Sequence, residues 1–407
     1  MRPSSRRVTM LSVIAVTSLV TLLCYWGLHY VPAAVENASR GSRTHSSSSV
    51  GRERARRELQ QLAVVEVQRL RSLTPESAER HFRTCSTCLC LLIVDNAVVR
   101  IASGPQSWVS RMPAYLQLVD DILLYHSVPD TVVVIDTTDH PKSRISFNFN
   151  RRYGDSFIMM LPNHRFAVND IPVAAGMKSK KWNPTLKVLL QLSQRAPYAS
   201  RDDRLFMDGI PHPDKKHYFD IACQQPDIAT AYIHAGSEHF ERLMRGEEQR
   251  LECYRQAGLL ANTTVPFATH NLRHKFLVYA HGNSLSDRLR LLLPSGSVIF
   301  KPDEDRTEFF RAILQPYRHY IPVARDYSDL LEKRQWALAH PQACERMVRA
   351  SREFAEDYLE YSNVMAYAGR LLTEYAHWMQ SFSWFTADPR RVCSTPWGKD
   401  MFQCRAA

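Results

Sequence analysis

The chain has 407 residues, of which 45% are hydrophobic and 23% charged, and its formal net charge is +11. This hydrophobic fraction is ordinary for a globular protein and excludes a disordered or fibrous chain. Residues 1–80 hold 12 arginines and 6 acidic residues, a surplus of 6, so the rest of the chain carries about +5 and gives no argument for a nucleic-acid partner.

The first predicted element is a membrane span. Residues 8–28 form an uncharged, mostly apolar run of 21 residues, and about 20 residues are needed to cross a bilayer as a helix. Arg2, Arg6 and Arg7 precede the run, whereas no lysine or arginine follows it until Arg40. The positive-inside rule therefore predicts a cytosolic N-terminus with the bulk of the chain across the membrane. A cleaved signal peptide is the alternative.

A stem and a helix are predicted next. Residues 36–50 include six serines, a composition typical of a flexible stem. Residues 52–73 are charged but carry an apolar stripe with helical spacing, formed by Leu59, Ala63, Val67 and Leu70. Such a stripe either pairs with a partner helix or packs on the folded domain of the same chain.

The cysteines bear on the compartment of the protein. Outside the predicted span there are eight, namely Cys85, Cys88, Cys90, Cys223, Cys253, Cys344, Cys393 and Cys404. An even number in a domain across the membrane predicts disulfides, although eight cysteines allow about a hundred pairings. Cys393 and Cys404 would close a short local loop. The Cys85-x-x-Cys88 pair lacks the second ligand pair of a zinc site, so we do not expect zinc there.

The folded region opens with a predicted hairpin and helix. The apolar runs 91–94 and 98–101 flank Asp95 and Asn96, residues that are typical of turns. Residues 108–125 follow with helical periodicity.

The next apolar run supplies candidate catalytic residues. Residues 131–135 are β-branched and almost wholly apolar, which predicts a central parallel strand. Asp136 and Asp139 follow its carboxyl end, where open α/β sheets place reactive groups. Either aspartate could instead cap a turn before Pro141.

Two histidines in the middle of the chain are candidate metal ligands. His212 and His217 lie five residues apart, and Pro213 between them argues against a helix that would bring them to one face. We interpret both as loop residues and expect no metal there.

Residues 276–301 predict an anion site. The sequence is FLVYAHGNSLSDRLRLLLPSGSVIFK, which predicts a buried strand, a turn, a helix from Ser284 or Ser286 to Leu293, and a second strand. A helix N-terminus just past a buried strand favours anions, and Arg288 would add a full charge. The pattern lacks the Gly-Lys-Ser/Thr of a phosphate loop and the three glycines of a dinucleotide fingerprint.

The same stretch resembles a known family. The order Gly, small residues and Ser, Arg, a hydrophobic run, Ser-Val, Phe-Phe and Pro-x-x-His-Tyr-Ile-Pro-Val, from Lys275 to about Tyr375, is similar to the C-terminal half of the CAP10-type family 90 glycosyltransferases. That family includes protein O-glucosyltransferases and capsule xylosyltransferases. The resemblance implies an α/β fold of the GT-B type, in which two Rossmann-like domains face a cleft. It also implies an inverting transfer from a UDP-sugar without a metal.

The resemblance extends to a catalytic base. Residues 135–141 resemble an Ile-Asn-x-x-Asp-x-Pro segment whose aspartate is taken as the base, and that position carries over to Asp139. The Asn position is occupied by Asp136, a departure from the pattern. In an inverting transfer, the carboxylate would take the proton of the acceptor hydroxyl as its oxygen attacks C1 of the sugar.

The resemblance also implies nucleotide-sugar contacts. In the C-terminal half they are assigned to Gly282, Asn283, Ser284, Ser286 and Arg288. An Arg of the family that helps to hold the nucleotide matches Arg204 best, with Arg201 second. The Trp/Phe-Arg-Gly segment expected before that Arg is missing from residues 196–205, which puts donor affinity and donor identity in doubt.

One acidic motif conflicts with metal independence. Asp303-Glu304-Asp305 contains the Asp-x-Asp of a different, metal-dependent class of glycosyltransferases, and it follows a predicted strand. The family resemblance argues against a metal, so we expect an acidic turn.

These observations combine into a domain plan. We predict a cytosolic tail at 1–7, a signal-anchor at 8–28, a stem at 29–80, an acceptor and catalytic-base domain at 81–192, a nucleotide-sugar domain at 193–380 and a tail at 381–407. A final helix at 363–382 is expected to return to the first domain, as it does in this architecture.

The predicted protein is a single-pass type II membrane enzyme of the Golgi or endoplasmic reticulum with a lumenal catalytic domain. It would move glucose or xylose from UDP-glucose or UDP-xylose to a hydroxyl of a protein or glycan acceptor. Asn37 and Asn262 begin sequons that would be glycosylated in that compartment.

Two alternatives remain open at this stage. The first is a non-catalytic binding protein, lectin-like or chaperone-like, that kept the fold and lost the donor site. The second is another nucleotide-dependent transferase such as a sulfotransferase, which no phosphate loop supports.

Overall fold

The computed structural model describes residues 49–402 except 82–85, 142–144, 156, 170, 176, 178–179, 262–264, 283, 389–390 and 393–394. These residues belong to one unit that spans 47–407. The predicted span 8–28, most of the predicted stem, both sequons and Asn283 lie outside the described residues. Among the helices that are described, none has the length and apolar character needed to cross a bilayer.

The strands are β1 (Cys88–Val94), β2 (Ala97–Ser103), β3 (Thr131–Asp136), β4 (Ser146–Asn148), β5 (Arg151–Arg152), β6 (Ile158–Met160), β7 (Asp202–Gly209), β8 (Ala229–His234), β9 (Leu260–Ala261), β10 (His274–Val278), β11 (Val298–Pro302), β12 (Arg306–Thr307) and β13 (Ile321–Val323).

The helices are α1 (Ser49–Gln68), α2 (Pro75–His81), α3 (Met112–Tyr125), α4 (Trp182–Arg195), α5 (Lys216–Gln224), α6 (Glu238–Met244), α7 (Glu248–Gln256), α8 (Phe267–Asn271), α9 (Leu289–Leu292), α10 (Leu330–Ala339), α11 (Pro341–Tyr358), α12 (Tyr361–Gln380) and α13 (Pro396–Phe402).

The first sheet has five strands in the order β2-β1-β3-β4-β6. Strands β1 and β2 form the predicted hairpin, and its turn residues Asp95 and Asn96 have φ angles of 50° and 59°. Two left-handed residues match the twist of a tight hairpin turn, and Asn and Asp tolerate that conformation best after Gly.

Strand β3 lies at the centre of this sheet and is buried along its whole length. It pairs in parallel with β4 and antiparallel with β1. The predicted central strand is therefore confirmed, whereas its surroundings are mixed and not purely parallel, because the β1–β2 hairpin supplies an antiparallel edge.

The second sheet has six strands in the order β13-β11-β10-β7-β8-β9, and all of its neighbouring pairs are parallel. Its central strands alternate with helices along the chain, as parallel pairing requires. The chain is thus a mixed α/β fold in which residues 88–160 supply the five-stranded sheet and residues 202–323 the six-stranded sheet, while β5 and β12 pair with each other as a two-stranded sheet.

Helix α1 packs on the body of the chain. Its predicted stripe is buried against α12 and α11, so the stripe is covered within this chain. The helix also places Glu66 in a buried ion pair with Arg151, whose Nη1 lies 2.5 Å from Glu66 Oε2. Helix α12 itself returns to the first sheet, where it contacts β3 and α3.

One disulfide is described in full. Cys223 in α5 is bonded to Cys253 in α7, and Cys88 is also disulfide-bonded. Cys344 is one of the eight cysteines that were expected to form disulfides, and this expectation is wrong for it, because its thiol is free and buried and donates to the carbonyl oxygen of Ala337. Cys393 and Cys404 lie outside the described residues.

Candidate active site

A cavity of about 320 Å³ lies where the carboxyl ends of parallel strands from both sheets meet. The loops after β3, β4 and β6 and the start of α3 contribute the first wall, which consists of Arg111, Asp139, Phe149, Asn163, His164 and Arg165. The loops after β7, β8 and β10 contribute the second wall, which consists of Gly209, Ile210, His212, Lys215, His234, His239, Ala280, His281, Gly282, Leu285, Ser286, Asp287 and Arg288.

Asp139 lies three residues past β3, and its carboxylate is held in a fixed orientation. Arg111 donates from Nη2 to Asp139 Oδ1 at 2.8 Å and from Nη1 to the carbonyl oxygen of Thr137 at 3.0 Å. The same guanidinium lies 4.0 Å from the ring centroid of Trp108. The side chain of Asp139 is 18% exposed, so it is shielded but still reachable from the cavity.

Asp136 has a different environment. It is fully buried and accepts hydrogen bonds from the hydroxyl of Thr87 and from the amide and hydroxyl of Thr138. Asn148 then donates to the carbonyl oxygens of Asp136 and Thr138. Asp136 therefore shapes the loop that carries Asp139 and does not line the cavity.

Arg288 enters the cavity from the segment after β10. Its Nη1 donates to the carbonyl oxygen of Asp208 and lies 3.3 Å from Asp208 Oδ1, which His234 Nε2 also contacts at 2.6 Å. Burial alone would raise the pKa of Asp208, but Arg288 and then His234 bring it below its usual value. One carboxylate thus already neutralises part of the charge of Arg288.

Lys215 is the lining cation for which the described residues supply no carboxylate within ion-pair distance. Its Nζ donates to the carbonyl oxygen of His281 at 2.9 Å, and the residue is 5% exposed. Burial, followed by the charge of Arg288, lowers the pKa of Lys215 to about 7. A bound anion would reverse both effects, because it would favour the charged ammonium.

The two walls are joined by an ion pair. Arg165 donates from Nη1 to Asp287 Oδ2 at 2.8 Å, and Arg290 also lies near that carboxylate. Next to this pair, burial followed by the charge of Arg111 lowers the pKa of His164 to about 3, so its imidazole is neutral at physiological pH.

Tyr279 holds the turn that carries Gly282 and Ser286 in place. The hydroxyl of Tyr279 accepts from the amide of Ser286 at 3.0 Å and from Arg311 at 2.6 Å. A Cβ atom on Gly282 would come no closer than 3.5 Å to the Leu285 carbonyl, so the backbone does not require glycine there. Ser284 does not line the cavity.

The helix predicted in this stretch is shorter than expected. Helix α9 covers only Leu289–Leu292 and continues as a 3₁₀ turn, and neither Ser284 nor Ser286 caps it. The prediction of a helix that begins at Ser284 or Ser286 is therefore wrong, and so short a helix has too little dipole to favour an anion. The residues from Leu289 to Ser295 are all buried, which leaves no solvent-facing side for a longer amphipathic helix.

Arg204 is not brought to the cavity. It lies near the amino end of β7, and its Nε and Nη2 bind the carboxylate of Asp202 at 2.8 and 2.6 Å. Arg201 is buried and donates to backbone oxygens of the α4 end and the turn before β11. Among the residues of β7, Gly209 at the carboxyl end is the one that lines the cavity.

The acidic motif after β11 is also outside the cavity lining. Asp305 is half exposed and lies near Arg152 and Arg325. Glu304 is buried and pairs with Arg311 and Lys301. These pairings support the interpretation of the motif as a structural turn.

Sequence reasoning did not assign five imidazoles and three cations to the cavity. They are Arg111, His164, Arg165, His212, Lys215, His234, His239 and His281. The only signal was the position of several of them at or just past the ends of apolar runs that form strands, such as His234 at the end of β8 and His281 after β10.

Comparisons with known proteins place the chain in a family. A profile described as Glycosyl transferase family 90 matches residues 74–397. Protein O-glucosyltransferase 2 of Danio rerio is 35% identical over 135 residues, which is 33% of this chain and 27% of that protein. Protein O-glucosyltransferase 1 of Rattus norvegicus is 31% identical over 107 residues, or 26% of this chain and 27% of that protein.

The chain thus spans about a quarter of the length of these relatives. A crystal structure of the pneumococcal O-GlcNAc transferase GtfA with UDP and GlcNAc has 11% identity and a TM-score of 0.30 over 52% of this chain and 39% of that one, a likeness too weak to support a conclusion. The profile match covers most of the chain, including both sheets and the cavity. The chain therefore belongs to glycosyl transferase family 90, and its enzyme class is that of a glycosyltransferase.

Proposed function

We propose that the chain is an inverting glycosyltransferase that moves glucose or xylose from a UDP-sugar to a hydroxyl of a protein or glycan acceptor. One observation carries the proposal. Asp139 and Arg288 follow strands of different sheets and line the same cavity of about 320 Å³. A base on one wall and a cation on the other is the arrangement that a transfer with inversion needs.

The proposed reaction starts at the first wall. Asp139 accepts the proton of the acceptor hydroxyl as the oxygen forms a bond to C1 of the sugar. The bond from C1 to the diphosphate breaks on the opposite face, and UDP departs with the bonding electron pair. Arg111 keeps the carboxylate aimed at the cavity through its 2.8 Å hydrogen bond.

The second wall would stabilise the departing diphosphate. Arg288 and Lys215 supply positive charge there, and both are partly shielded from solvent. Charges that are fixed before the reaction stabilise developing negative charge without reorganisation. We therefore propose that these cations do the work of a divalent metal and that transfer proceeds without one.

The remaining parts of the proposal concern architecture and location. Two sheets whose parallel strands end at one cavity support a GT-B arrangement of two Rossmann-like domains, with the UDP moiety on the second sheet. The Cys223–Cys253 disulfide supports an oxidising compartment. Together with the predicted anchor at 8–28, it supports a lumenal domain of the Golgi or endoplasmic reticulum.

A second candidate is a binding protein that has lost transfer. The observation in its favour is the pairing of Arg288 with Asp208, which uses part of the charge that a diphosphate would need.

One experiment separates the two candidates. The full-length protein, purified in detergent and treated with EDTA, is assayed for UDP release from UDP-glucose and UDP-xylose, and its melting temperature is measured with and without UDP. We expect stabilisation by UDP and release from one of the two donors. Stabilisation without release from either donor would favour the binding protein, and the absence of both would overturn the proposed donor site.

A further inference from the structure

Three metal-ligating side chains meet beside the cavity. The imidazoles of His212 and His281 and the carboxylate of Asp214 each offer one ligand atom, and these atoms all lie within 4.8 Å of one another. His212 and Asp214 belong to the loop after β7, and His281 follows β10. Because β7 and β10 are paired neighbours, the topology brings the two segments together.

Two buried ring nitrogens of this cluster have no hydrogen-bond partner among the described residues. His281 is 6% exposed, and its Nδ1 has none, whereas its Nε2 faces the carboxylate of Asp214. His212 Nδ1 is likewise buried without such a partner. Leaving a buried polar atom unsatisfied costs about 1–3 kcal/mol, so two such atoms beside one carboxylate point to a missing ligand.

We propose that His212, Asp214 and His281 bind one divalent transition metal of the zinc class. Two imidazole nitrogens and one carboxylate oxygen suit Zn²⁺, whereas Mg²⁺ prefers oxygen ligands. Nε2 of His281 lies 3.3 Å from Oδ2 of Asp214, and two tetrahedral zinc ligands are separated by roughly that distance. The fourth coordination position would be left for water or for an oxygen of a cavity ligand.

Two cations oppose the ion and limit its affinity. Arg325 Nη2 lies 3.5 Å from the same oxygen of Asp214, and Lys215 donates to the carbonyl oxygen of His281. Zinc would have to displace Arg325 from Asp214, so we expect weaker binding than at a closed four-ligand site.

The test measures zinc itself and does not depend on transfer. The full-length protein is stripped with EDTA, the chelator is removed, and Zn²⁺ binding is measured by equilibrium dialysis and by calorimetry. We expect one equivalent, its loss in His281→Ala, and at least a tenfold weaker site in Asp214→Asn. Mg²⁺ should not compete.

Two matched histidines serve as controls. His217, which was expected in a loop, lies in α5, and His217→Ala removes its exposed imidazole; His239→Ala removes another imidazole of the cavity. Both should retain the zinc equivalent. Zinc that is retained in His281→Ala, or lost to the same extent in His239→Ala, would overturn the proposal, as would a wild type that binds no zinc.

A second pair of measurements covers the case in which His281→Ala does not fold. His212→Gln and Asp214→Asn change partly exposed residues, and the absorption spectrum of bound Co²⁺ reports directly on the ligand set. A spectrum that is the same in both variants as in the wild type would overturn the site. Since the proposed transfer is measured in EDTA, a failure of this site and a failure of the proposed function give different results.

Discussion

The two ends of the six-stranded sheet carry the same kinds of residue and differ in how those residues are paired. At the amino end, Arg201 donates five hydrogen bonds within the chain, and Arg204 is bound by Asp202 two residues away. At the carboxyl end, Lys215 has only a carbonyl partner among the described residues, and Nδ1 of His281 has no hydrogen-bond partner among them. Residue type alone therefore does not identify a binding site. A polar side chain that the fold leaves without a partner is the better indicator.

The largest expected effect tests the carboxyl end of β3. Asp139→Asn keeps an oxygen for the hydrogen bond from Arg111 but removes the base, so transfer should fall by about 10²–10⁴-fold while UDP affinity changes little. Donor turnover and UDP binding measure the two quantities. Asp136→Asn is the matched control, because its buried carboxylate only holds the loop, and it should keep most of the activity. An equal loss of transfer in both variants would contradict the assignment of Asp139 as the base.

The next effect tests the second wall. Arg288→Ala removes a guanidinium from the cavity and leaves Asp208 paired only with His234. A charged hydrogen bond contributes about 1.5–3 kcal/mol, so UDP affinity should fall by about 10–100-fold. Calorimetry with UDP gives the value. Unchanged affinity in this variant would place the donor elsewhere.

The pH dependence of donor binding should identify Lys215. Its folded pKa of about 7 would rise when a diphosphate binds, so binding takes up a proton. Affinity for UDP-glucose should be greatest below pH 7, where Lys215 is charged in both states, and should decline as the pH rises above 7. Titrations from pH 6 to pH 9 provide the test.

Two substitutions at Lys215 control this prediction. Lys215→Met should lower affinity by about tenfold at low pH and abolish the decline. Lys215→Arg should also abolish the decline, since arginine stays charged over this range, but should keep tight binding. A decline that persists in both variants would show that another group titrates.

The smallest effect tests the amino end of the sheet. Arg204→Ala breaks a partly exposed pair with Asp202, which contributes at most about 1 kcal/mol to stability. UDP affinity and transfer should stay within error of the wild type. A loss as large as that of Arg288→Ala would contradict the placement of the site at the carboxyl ends of the strands.

Local pattern was sufficient where one short stretch decides the structure. The Asp95-Asn96 turn, the buried run after Asp130 and the stripe of α1 are set by neighbouring residues, and each is observed. That Asp139 and Arg288 would line one cavity followed from the rule that α/β sheets bind ligands at the carboxyl ends of their strands, together with the family resemblance.

Tertiary pairing was beyond the reach of the sequence. Arg204 lies on a strand, and the sequence does not say which end of that strand faces the cavity. The direction of β7 places Arg204 at the amino end beside Asp202, away from the cavity. His217 is the histidine closest to His212 in the sequence, whereas the histidine near His212 in space is His281. The leucine-rich run 289–293 suggested a longer helix, but complete burial, including that of Arg290, shortened it.

The buried pair between Glu66 and Arg151 has a consequence for which residues a shortened chain must keep. Because one partner lies on the first described helix and the other on a strand beside the first sheet, that helix stabilises the folded body. A chain that lacks residues 1–81 would lose Glu66 and leave the guanidinium of Arg151 buried without its carboxylate, which would lower the stability by about 3–5 kcal/mol. It would also expose the face of α12 that α1 covers.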